Sequence, residues 1–195
     1  MVYFDIGDKY SIMTEVRKSV YSSYNITLDK IMIRDDSVVD KKILITYASS
    51  TGSTEKLAQI IAEGIKKVDG VSFEMKRAKD IRPDDVASAN GYAFGSHSAS
   101  EYMEGEIKNL FEVLYPVKEK MSGKPVLLFT TGQGKQAAAL ASIEKLAGVF
   151  NPEWIKPGLA VKGMPGESDK ANAIEMGEKL ADAVKKTQKS TYIVA

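Results

Sequence analysis

Residues 48 to 54 read ASSTGST, with five hydroxyl side chains, Ser49, Ser50, Thr51, Ser53 and Thr54, around a single glycine, Gly52. This run suits anion binding if a helix starts at its end. The helix leaves its first N–H groups without internal acceptors, its dipole favours negative charge there, and the glycine lets backbone approach the anion closely. No Gly-Lys-Ser/Thr follows, so the run is not a Walker loop, and the G-x-G-x-x-G of a dinucleotide turn is missing too. What remains is a seat for one phosphate, bound without a lysine or a metal. The plainer alternative is that the hydroxyls only cap the helix, with Thr54 as N-cap.

Two further stretches have the same unusual character. Residues 96 to 105 read SHSASEYMEG, and residues 131 to 139 read TGQGKQAAA. Both are rich in small or hydroxyl residues, unlike the charged turns of an idle surface. The first holds His97, the only histidine of the chain.

Composition narrows the chemistry. The chain has no cysteine, which excludes disulfides, a thiol nucleophile, thiolate zinc sites and a protein-ligated iron–sulfur cluster. Redox chemistry, if present, must come from a bound organic cofactor. A net charge of +1 gives no basic field for nucleic acid, and the lysines alternate with acids along helical faces. No apolar run is long enough for a membrane span, and MVYFDIGDKYSIM lacks the basic start and apolar block of a targeting signal, so a cytoplasmic protein is expected. With 195 residues, 44% of them hydrophobic, one domain with an ordinary core is expected.

The elements that must position these loops follow from periodicity. KILITY (42–47) is a β-branched run suited to a buried parallel strand, and residues 54 to 67 carry Leu57, Ile60, Ile61 and Ile65 at helical spacing. The alternation continues with strands at 71–76, 91–96, 124–131 and 158–163, and helices at 82–89, 104–119, 136–150 and 168–186. Five strands alternating with helices predict a three-layer α/β domain around a parallel sheet. In such a sheet, ligands sit beyond the carboxyl ends of the strands where the order reverses. The three unusual loops follow the first, third and fourth strands, where that rule requires them.

These motifs resemble those of the flavodoxin family. SSTGST matches its [Thr/Ser]-x-Thr-Gly-x-Thr phosphate loop, GSHSASEYMEGEIKNLFE its second flavin loop, and FTTGQG its third, in order over residues 41 to 187. The resemblance implies an αβα sandwich with strand order 2-1-3-4-5 and a noncovalent FMN. On that likeness Ser49, Thr51, Gly52, Ser53 and Thr54 bind the ribityl phosphate, with Ser50 contributing backbone. Ser96, Ser98, Tyr102 and Met103 flank the isoalloxazine or ribityl group on one side; Thr131, Gly132, Gln133 and Gly134 do so on the other.

The chain departs from the family pattern in three ways. His97 stands where proline is common, which brings to the flavin loops an imidazole able to hydrogen-bond; the plainer alternative is a solvent-facing loop histidine. The third loop has no aromatic residue, leaving one flavin face open to a substrate, a partner or another subunit. Lys135 adds a cation to that loop, opposed by Glu101, Glu104 and Glu106 in the second. The expected function is electron transfer between protein partners through FMN; the alternative is an NAD(P)H-dependent oxidoreductase acting on a quinone or small acceptor. Monomer and homodimer both stay open. Residues 1–40 form an extension expected to pack on the main domain, and 188–195 a tail.

Overall fold

The computed structural model describes residues 41–187; the expectations for residues 1–40 and 188–195 lie outside the described residues. The elements run β1 (Lys41–Tyr47), α1 (Ser53–Ile65), β2 (Val71–Arg77), α2 (Pro83–Ser88), β3 (Gly91–Ala99), β4 (Tyr102–Met103), α3 (Gly105–Leu114), β5 (Pro125–Gly132), α4 (Gln136–Ala147), β6 (Glu153–Lys162) and α5 (Glu167–Lys186). The sheet order is β2-β1-β3-β5-β6, and β4 pairs with β3 off this path. All pairs along the path are parallel. This is the 2-1-3-4-5 order, with β4 as a short addition that the hydrophobic pattern does not show.

β1 is apolar on both sides because both sides are covered. Ile43, Ile45 and Tyr47 join one core cluster with Leu57 and Ile61 of α1 and Met176, Leu180 and Val184 of α5. Leu44 joins the other with Val86 of α2, Phe111 of α3 and Ile143 of α4. Helices α1 and α5 cross with their backbones nearly touching. A Cβ on Gly64 would lie 2.0 Å from the Ile174 carbonyl oxygen, and one on Gly177 would lie 2.2 Å from that of Ile61. Only glycine permits that approach.

Three of the boundaries that differ from the periodicity reading bear on the site or the sheet. The helix expected over 104–119 stops at Leu114 and gives way to a 3-10 segment, Tyr115–Lys120. Pro116 has no N–H to bond to Glu112 and its ring crowds that carbonyl. The last strand starts at Glu153, five residues early, because Trp154 and Ile155 already pair with Val126 and Leu127. Lys156, Pro157 and Gly158 bulge out before pairing resumes at Leu159, which an edge strand tolerates. Finally, β3 runs on to Ala99, so His97 and Ser98 are strand residues.

Candidate functional site

The sheet reverses direction at β1: the chain goes outward to β2, then back across to β3. The loops after β1, β3 and β5 therefore open at one end of the sheet, around the β1/β3 crevice.

At the start of α1 the N-cap is Gly52, in a left-handed conformation (φ 86°), with no side-chain cap. The first helical bond runs from the Lys56 N–H to the Gly52 carbonyl, at 2.9 Å. The N–H groups of Ser53, Thr54 and Glu55 have no acceptor among the described residues. They constitute the unfilled donor set that an anion requires. Ser49 is buried and its Oγ accepts the Gly52 N–H at 3.1 Å, which fixes the loop from inside. Ser50 and Thr51 are exposed, Ser53 is half-buried, and the Thr51 and Ser53 hydroxyls lie 3.3 Å apart. Thr54 is not the cap. Its buried hydroxyl meets that of Thr131 at 2.8 Å, tying the first turn of α1 to the carboxyl end of β5.

The second loop is a tight hairpin: β4 pairs with Ser98 and Ala99, and Ser100 and Glu101 turn the chain at φ 49° and 72°. Ser96 is buried in its base, where its Oγ donates to the His97 carbonyl and accepts the Glu104 N–H, both at 2.8 Å. His97 lies opposite Thr131 in the sheet register. Its Nδ1 approaches Glu104 Oε2 at 2.8 Å, but off the hydrogen-bond direction, so neither buried atom has a hydrogen-bond partner among the described residues. The Met103 N–H donates to Ser142 Oγ at 2.9 Å, whereas Tyr102 projects outward, 68% exposed.

The third loop leans on the second. Ser98 Oγ donates to the Lys135 carbonyl at 3.1 Å, and Lys135 Nζ pairs with Glu101 at 2.6 Å. Lys135 holds the Glu101 carboxyl below the usual carboxylate range, and Glu101 raises the lysine in turn. Both side chains are more than half exposed, so water screens the pair. The lysine charge is thus shared with the opposite loop rather than standing alone. Gln133 and Gly134 are exposed, and the Gly134 N–H donates to Gln136 Oε1 at 3.0 Å. Gly132 is anchored by its carbonyl, which accepts the Gly163 N–H at 2.7 Å. That bond brings in a fourth loop, after β6, carrying the exposed Met164.

Sequence reasoning missed this fourth loop and also Arg77. At the end of β2, Arg77 reaches across to the first loop and donates from Nη2 to the Ser49 carbonyl at 2.6 Å, while its buried Nε has no partner among the described residues. Beside it the Tyr47 phenol is pushed up, first by burial and then by the Glu55 carboxylate, with Arg77 partly offsetting both. The strand read from the sequence stops at residue 76, one short of Arg77.

A family model described as flavodoxin matches residues 45–177. The chain belongs to the flavodoxin family. Members of that family bind FMN as their cofactor. A flavodoxin of Aquifex aeolicus (strain VF5) is 26% identical over 160 residues, covering 73% of this chain and 86% of that protein. A solved archaeal flavodoxin superposes with a TM-score of 0.68 at 21% identity, over 74% of this chain and 99% of that one; at that identity the likeness concerns fold. An NAD(P)H dehydrogenase (quinone) of Chromohalobacter salexigens is 41% identical, but over only 51 residues, 26% of this chain and 25% of that protein. That likeness is local, whereas a quinone-oxidoreductase QR2 of Triphysaria versicolor is 26% identical over 158 residues, 60% of this chain and 77% of that protein.

Proposed function

We propose that this chain is a cytoplasmic flavodoxin that carries electrons between protein partners through FMN held at the three loops. The observation that carries the reading is the unfilled donor set at the start of α1, at the end of the sheet where the second and third loops also converge. The Ser53, Thr54 and Glu55 N–H groups bind the ribityl phosphate, with Thr51 and Ser53 adding hydroxyl donors. Gly52 takes the left-handed φ of 86° that turns the loop into the helix, a conformation that glycine adopts without strain. Thr54 and Thr131 act through their mutual hydrogen bond, which holds the phosphate loop in register with the third loop.

Bound FMN supplies reversible electron storage, and the protein orients it and tunes its potential. The hairpin carrying Tyr102 and Met103 covers one side of the site, and Thr131 to Gly134 border the other. The Lys135–Glu101 pair bridges these two loops and sets the distance between them. Exposed Tyr102 and Met164 leave apolar surface at this end for a partner protein.

A second reading, reduction of a quinone or small acceptor by NAD(P)H, is favoured by the absence of an aromatic residue from the third loop and by the likeness to the two quinone enzymes. Mixing the FMN-loaded chain with NADH or NADPH under anaerobic conditions separates the two. The carrier stays oxidised over the time in which a reductase bleaches its flavin absorbance, so rapid bleaching would favour the enzyme.

A further inference from the structure

The sequence promised a phosphate seat with no cation, yet the fold brings one up behind it. Arg77 pairs with Tyr47 in the β1–β2 register, and its side chain reaches Ser49, two residues beyond the end of the neighbouring strand. Among the described residues it makes no ion pair, so no carboxylate neutralises its charge. Glu55, in the first turn of α1, faces the same Tyr47 phenol as Arg77 does.

The contact with the Ser49 carbonyl has a stereochemical consequence. In a planar trans peptide the carbonyl and the following N–H point in opposite directions. Drawing the Ser49 oxygen toward Arg77 therefore turns the Ser50 N–H to the other side of the loop. Ser49 is held a second time, through its Oγ on the Gly52 N–H. A cation on the carbonyl also polarises the peptide and strengthens its N–H as a donor.

We propose that Arg77 is a positioning residue that sets the site's preference for a phosphorylated flavin. It fixes the Ser49–Ser50 peptide with its N–H toward the anion and places an unneutralised cation behind the loop. This rests on the FMN reading above. The test is fluorescence titration of the whole chain with FMN and with riboflavin, which lacks the phosphate, for wild type, R77Q, R77M and R77K, with thermal unfolding of each apoprotein as a control.

Loss of one charge-assisted hydrogen bond corresponds to a drop of about 10- to 100-fold in FMN affinity for R77Q and R77M, with riboflavin changed by less than about threefold. R77K, which keeps the cation and a donor, recovers most of that loss. Unchanged FMN binding in both neutral variants, equal losses for the two flavins, or no recovery in R77K would overturn the assignment. Wild type failing to bind FMN at all would instead overturn the functional reading beneath it.

Discussion

The hydroxyls of Thr54 and Thr131, 77 residues apart in the chain, meet at 2.8 Å in the protein interior. One belongs to the first turn of α1 and the other to the end of β5, so a single buried bond joins two of the three loops. Replacing either residue by valine keeps the shape but leaves the opposite hydroxyl buried without that partner, at a cost of about 1–3 kcal/mol. The double variant T54V/T131V removes both groups and is expected to lose less than the sum of the singles. Urea unfolding of the four proteins measures this, and additive losses would mean that the pair does not act as a unit.

Acid lability should come in part from one carboxylate on the first rim of the sheet. Lys76 Nζ lies 2.7 Å from Asp85 and 2.6 Å from Glu74, and Lys42 also pairs with Glu74. Lys76 holds the Asp85 carboxyl below its ordinary 3.8; burial opposes this and the Arg82 N–H assists. A carboxyl depressed in the folded state stabilises it above the unfolded-state value, and that contribution disappears as pH falls through the folded value. D85N is thus expected to be less stable than wild type at pH 7, and the two should converge below about pH 4. Urea midpoints between pH 2 and 7 check this; a constant gap would contradict it. Glu74 is lowered in the same way, first by Lys42 and then by Lys76, so D85N keeps some acid sensitivity.

Much of this was readable in the chain because the signals were local. KILITY declares a doubly covered strand, and Leu57, Ile60, Ile61 and Ile65 a helix, so the loop between them falls at a carboxyl end. What escaped reading depends on long-range placement or on an unusual local choice. The hairpin at Ser100 and Glu101 adopts positive φ without glycine or asparagine, so no turn residue announces β4. Pro157 and Gly158 look like the end of a loop, yet they form a bulge within an edge strand. The Thr54 hydroxyl meets Thr131 only because β5 ends beside the first turn of α1. Arg77 touches Ser49 only because β2 lies beside β1, which no property of either residue reveals.

ASSTGST is proposed to seat the phosphate of FMN. The most direct test is the affinity of the wild-type apoprotein for FMN and riboflavin beside that of a T51A/S53A variant, read by quenching of flavin fluorescence. Wild type is expected to prefer FMN by at least about tenfold, the worth of a single charged hydrogen bond. The double variant, which keeps the backbone donors, is expected to lose part of that preference, about tenfold in FMN affinity, while its riboflavin affinity holds. Equal affinity of wild type for the two flavins, or equal losses of both in the variant, would contradict the account.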